Sequence, residues 1–171
     1  MSATAATASS REWSWGRVLV RAWLLTGVAD GILAIVETLA YHRTLTHLFQ
    51  GIASVPFGRG MIDGGPAPVA LGVALHFCVA LTWSAVFLLL AMRMGWVQSL
   101  IRSASGRVVT AAIYGPCVWI VMSTLVIPFF VHRPVAITGR WWIELVGHVV
   151  SVGTPIVWTV ASGLSREALP R

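Results

Sequence analysis

The amino-acid sequence predicts an all-α polytopic membrane protein with four transmembrane helices, and three observations carry that reading. The chain has 171 residues, of which 57% are hydrophobic. Only 11% are charged, against about 25% in a soluble domain. Four largely apolar runs each reach roughly 18 residues or more, enough to cross a hydrocarbon core about 30 Å thick. The crossings and their links use nearly the whole chain. A single transmembrane domain over residues 17–164 is therefore expected, after a disordered Ala/Thr/Ser-rich tail over 1–16 and before a cytoplasmic tail over 165–171.

The first span is expected over 17–41. Trp13, Trp15 and Trp23 stand at its start, where amphipathic rings favour the membrane–water boundary. The run is too long for a cleaved signal and carries Arg21, Asp30 and Glu37. Gly27 and Gly31 form a GxxxG pair, which permits close helix approach and offers a surface to a second copy or another membrane protein.

Residues 42–68 do not read as a span. Leu45, Leu48 or Phe49, and Ile52 recur at helical spacing among Arg43, Thr46, His47 and Gln50, which predicts a short amphipathic helix on the membrane surface. Pro56 and the glycines and prolines from Gly58 to Pro68 then interrupt regular structure. The second span is expected over 69–92, a polar link over 93–107, the third span over 108–131 and the fourth over 141–164. Pro116 and Pro128 predict kinks in the third span, and Gly153 with Pro155 predicts one in the fourth.

The formal charge of +6 comes from twelve arginines and no lysine. They flank the apolar runs, where they meet lipid headgroups and set orientation. No basic stretch is dense enough to follow a phosphate backbone, so nucleic-acid binding is excluded and the lipid bilayer is the expected partner. With the N-terminus inside, eight arginines fall on the cytoplasmic side and Arg43, Arg59, Arg133 and Arg140 fall outside. That distribution predicts an N-in, C-in topology.

Ionisable side chains inside the spans are the candidates for function. Each adds at least about 2.5 kcal/mol to insertion near a helix centre, so they face the bundle interior and find partners. They are Asp30 and Glu37 in span one, His76 in span two, and Glu144 and His148 in span four. Asp30 and Glu37 share a face two turns apart, and Glu144 and His148 share one at a spacing of four. Antiparallel crossing brings Glu37, His76, Glu144 and His148 to one depth in the outer half, with Asp30 nearer the centre.

Carboxylates and imidazoles at one level suit a transition-metal site, a proton relay, or a site for a polar or cationic substrate. They equally suit a buried network that only fastens helices in an accessory or scaffold subunit. Glu144-x-x-x-His148 is not the HExxH of metalloproteases, and no Walker loop, GxGxxG or GxSxG is present. With no nucleophile constellation, an enzyme is the less favoured class. Cys78 and Cys117 lack CxxC spacing and read as small hydrophobes. Trp83, Trp119 and Trp158 lie deep enough to line a cavity or to face lipid, whereas Trp96, Trp141 and Trp142 read as interfacial anchors. His42, His47 and His132 flank the outer boundary near Asp63 and read as solvated loop residues.

The segments Gln50-Gly51-Ile52-Ala53-Ser54, Asp63-Gly64-Gly65, Leu71-Gly72-Val73-Ala74-Leu75-His76-Phe77 and Glu144-Leu145-Val146-Gly147-His148 resemble a pattern in small bacterial four-span inner-membrane proteins of the YagU type. The resemblance extends over about residues 20–162. It implies a bacterial cytoplasmic membrane and four helices, and it implies no activity.

Overall fold

The spans form because a chain in hydrocarbon must satisfy every backbone N–H and C=O within itself, which a continuous helix does. In the computed structural model, which describes the backbone of residues 2–167 and the side chains of residues 15–164, four helical stretches are long and apolar enough to cross a membrane. They are Trp15–Ala40, Pro66–Arg93, Ala104–Val131 and Gly139–Leu164, spans one to four. The protein is an all-α four-helix membrane bundle, and no strand occurs among the described residues. Four crossings return both ends to the same side. The expected tail after residue 167, and the side chain of Trp13, lie outside the described residues.

Helix α1, Ser2–Ala40, starts well ahead of the expected span and runs through the segment read as a disordered tail. No proline or glycine stands before Gly16 to stop it, and alanine favours the helix. α1 ends in a turn in which His42 takes φ +55° and Arg43 N–H donates to Thr38 O.

Helix α2, Leu45–Phe57, is the predicted amphipathic segment. Thr44 caps it, its hydroxyl accepting from His47 N at 3.2 Å. The helix passes through Pro56 and stops at Gly58, whose φ of +87° suits a residue without Cβ. It does more than rest on a surface. The Phe49 carbonyl lies so close to Gly72 of span two that a Cβ there would collide with it, and Gln50 is buried, donating to Gly65 O at 3.2 Å.

Helix α3, Pro66–Arg93, is span two. The expected polar link after it contains a further helix, α4, Gly95–Arg102, which turns Val97 and Ile101 into the core and leaves Trp96 outside. This element went unread because the arginines, serines and glycines of the link masked a short amphipathic period.

Span three comprises α5, Ala104–Val121, a π-helical turn over Met122–Val126, and α6, Ile127–Val131. Span four comprises α7, Gly139–His148, a π-helical turn over Val149–Gly153, and α8, Thr154–Glu167. Each wide turn ends two residues before a proline, Pro128 or Pro155. A proline ring clashes with the carbonyl four residues back, here Thr124 or Ser151. Both carbonyls lie inside the π turns, where the widened backbone makes room.

Span four is the most buried of the four and packs against both span one and span three. Glycines permit this. Gly115 lies against the His148 carbonyl and Gly153 against the Ala111 carbonyl. Towards the end of the bundle that carries α4, Phe87, Leu88, Val97, Ile101, Ile156, Val157 and Val160 form an apolar core.

The GxxxG pair is used within the chain. Gly27 lies against the Phe77 ring, Trp23 Nε1 donates to Phe77 O at 2.8 Å, and Gly31 lies near His76.

Candidate functional site

One face of span four carries the polar residues. Arg140, Glu144 and His148 follow at intervals of four and rise about 12 Å along the helix. Glu144 and His148 are buried. The π turn then adds an extra residue per turn and brings Ser151 to the same side. Span one supplies Glu37, which is 5% exposed, and Asp30, two turns away on the same face.

The contacts form a ladder of hydrogen bonds and ion-pair distances under 4 Å. Arg140 Nε donates to Glu37 Oε2 at 3.1 Å, and Arg140 Nη2 stands 3.6 Å from Glu144 Oε1. The guanidinium also lies over the Tyr41 ring, 5.6 Å from its centroid. His148 Nδ1 lies 2.7 Å from the Glu144 carbonyl and 3.8 Å from Glu144 Oε2. A carbonyl only accepts, so Nδ1 carries the hydrogen and Nε2 is the exchangeable nitrogen. Nε2 stands 3.8 Å from Asp30 Oδ1, which accepts from Ser151 Oγ at 2.9 Å. The ladder thus runs from Arg140 through Glu37 and Glu144 to His148, Asp30 and Ser151.

Three carboxyls in this set face one guanidinium and one imidazole. Glu37 Oε1 is buried with no hydrogen-bond partner among the described residues. One turn beyond Asp30, the buried hydroxyl of Thr26 also lacks a partner, and past it the apolar core begins.

Aromatic rings wall the ladder. The Trp119 ring lies 5.0 Å from that of His148, Trp119 Nε1 donates to Trp141 O, and Trp141 Nε1 donates to Ser123 Oγ. Leu33 packs on Gly147 and closes the seam between spans one and four. At the Arg140 end, a cavity opens between spans three and four.

The structure brings together four of the five expected site residues: Asp30, Glu37, Glu144 and His148. It does not bring His76. That imidazole lies 2.9 Å from Gly27 O and packs edge-on to Phe77, so it fastens span two to span one. Gly72, His76 and Trp83 of span two serve three separate contacts, the last being Tyr114, whose hydroxyl donates to Trp83 O at 2.6 Å. The ladder therefore joins two crossings, not three.

Arg140 and Ser151 were missed by sequence reading. Arg140 counts as an outer headgroup arginine in a charge tally, yet its spacing of four from Glu144 was visible. Trp141, read as an interfacial anchor, also bonds to span three, its Nε1 donating to Ser123 Oγ. Among the described residues, no three His, Cys, Asp or Glu side chains are arranged to hold a metal ion. Cys78 and Cys117 are exposed on the helix surfaces and do not pack inside. His42, His47, His132 and Asp63 are exposed.

Comparison with protein families, with curated proteins and with solved structures finds no match for this chain.

Proposed function

We propose that this chain is a multi-pass protein of the bacterial cytoplasmic membrane, with both ends inside, whose ladder exchanges protons with the outer side. The observation that carries this reading is a charge mismatch. Two buried carboxyls from different spans, Glu37 and Glu144, share the single guanidinium of Arg140. Ionised together in a low-dielectric layer, they leave one negative charge unmatched. A proton balances it with the least movement; a cation entering by the cavity would do the same, and a small polar substrate would donate hydrogen bonds to the carboxylate. His148 then offers Nε2 to Asp30, the next acceptor inward.

The ladder opens at the end bearing α2 and stops against the apolar core. That supports one-sided exchange in this conformation rather than a through-going path. The arginine distribution supports placing the α2 end outside. The bacterial membrane and a YagU-like kinship rest on the resemblance of the segments around Gln50, Asp63, Leu71 and Glu144.

Infrared spectroscopy on protein reconstituted in vesicles tests this reading. A protonated-carboxyl band should titrate with external pH and disappear in Glu144→Gln or Glu37→Gln. A band absent at every pH, or unchanged in both folded variants, ends the proposal.

An accessory role is the second reading. Its support is that Arg140–Glu37 and Ser151–Asp30 both tie span four to span one. It expects a partner to co-purify in mild detergent. It also expects both glutamine variants to melt at lower temperature while every transport measurement stays unchanged.

A further inference from the structure

The cavity beside the ladder holds about 300 Å³ and lies between α6, the 132–138 loop and α7. That is the lower end of the range for small-molecule sites. Its walls are mainly apolar. Trp119 and Trp141 line it with both indole N–H groups already bonded, to Trp141 O and Ser123 Oγ. The charged groups in the wall are Arg133, Arg140 and Glu144.

We infer that this cavity binds a small organic anion, a carboxylate on an apolar body, together with one proton held at Glu144. The inference rests on the proton-exchange reading above and names the substrate class of the same site.

Arg140 is built as an anion receptor. Glu37, 6% exposed at its side chain, anchors Nε from behind, while the Arg140 side chain as a whole remains 33% exposed. Nη2 stands 3.6 Å from Glu144, beyond hydrogen-bond length, so that edge has donors to offer. A guanidinium fixed at one edge presents a planar fork that fits a carboxylate. α7 begins beside it at Gly139, and Thr138 makes no side-chain cap, so the first-turn amides add positive potential at the same wall. Arg133 adds a second full charge.

The obstacle to an entering carboxylate is Glu144. Around that group stand Arg140 and His148 on its own helix, and Glu37 and Asp30 on α1. A ligand carboxylate on Arg140 would face an ionised Glu144 across one guanidinium, and the repulsion is removed when Glu144 takes a proton. The proton comes from the outer medium and leaves with the ligand, so charge balances. An organic cation would suit the tryptophan rings but would meet two arginines in the wall.

Full-length protein in nanodiscs, titrated with benzoate and read by tryptophan fluorescence, tests the inference. Saturable binding should strengthen by up to about tenfold for each pH unit lowered, the slope of one linked proton. Glu144→Gln should bind benzoate with that slope abolished, and Arg133→Gln should weaken binding several-fold without changing the slope. Arg140→Gln should abolish binding; should it fail to fold, the Arg133 and Glu144 variants still decide. Binding of benzylammonium in place of benzoate, or benzoate binding independent of pH in the wild type, overturns the inference. No benzoate binding alongside an intact titrating carboxyl band overturns the anion while sparing the proton site. Loss of that band with benzoate still bound overturns the proton reading and this inference with it.

Discussion

Arg140 and Glu37, separated by 103 positions in the chain, meet at 3.1 Å, with the carboxylate buried and the guanidinium partly open to the cavity. This pair closes the seam between the first and fourth spans at one end of the bundle. Asp30 and Ser151 close it near the middle. The intervening backbones can approach because Gly147 receives Leu33. Fastening and chemistry therefore share the same residues.

Removing the cation should be worse than removing both partners. Arg140→Gln leaves Glu37 and Glu144 in the interior without a counter-charge. The loss of stability should be about 2–3 kcal/mol, below the figure for a fully buried pair because the Arg140 side chain is one-third exposed. Adding Glu37→Gln should recover part of it. Thermal unfolding in detergent, followed by circular dichroism, gives the comparison. A double variant less stable than Arg140→Gln would show that the pair is not the cause.

Much of this arrangement was legible in the sequence, and the residues show why. Span limits followed from apolar length, so the expected 69–92 and the observed Pro66–Arg93 nearly coincide. Depth followed from antiparallel crossing, which is why Glu37, Glu144 and His148 could be placed at one level. Depth does not give rotation about the helix axis. His76 has a suitable depth yet faces Gly27. The π turns were also hidden, because Pro128 and Pro155 predict a disturbance without saying that it takes the form of a wide turn. Ser151 joins the ladder through that wide turn. Arg140 was assigned to the headgroups because an arginine at a span end does so by default. Only the buried position of Glu37 shows otherwise.

Two glycines give opposite expectations for alanine. A Cβ at Gly115 would strike the His148 carbonyl, which is backbone and cannot swing aside. Gly115→Ala should destabilise by at least about 1–3 kcal/mol and disturb the His148 ring. Gly51 in α2 has open space around it, so Gly51→Ala should stabilise by up to about 1 kcal/mol through helix propensity. Parallel thermal melts check both signs; equal shifts would contradict the close approach at Gly115.

Orientation gives a labelling pattern. Thr46 in α2 and Ser99 in α4 are both exposed and lie at opposite ends of the bundle. In a Cys78→Ser/Cys117→Ser background, Thr46→Cys should react with an impermeant maleimide on intact bacterial spheroplasts. Ser99→Cys should react only after permeabilisation. The reverse pattern would move the ladder to the cytoplasmic side without changing its geometry.

The two intramembrane histidines separate structure from exchange. His76 makes one bond to Gly27 O and touches no carboxylate of the ladder, so His76→Ala should cost about 1 kcal/mol and leave the titrating carboxyl band in place. His148 stands between Glu144 and Asp30, with Nδ1 tied to the helix and Nε2 directed at Asp30. His148→Ala should break the ladder there. The carboxyl band from Glu37 and Glu144 should still titrate with external pH, whereas any component from Asp30 should become insensitive to it. Asp30→Asn identifies that component in the wild-type spectrum. Should His76→Ala change the carboxyl band as much as His148→Ala does, the ladder would extend into span two, and the separation drawn between the two histidines would be wrong.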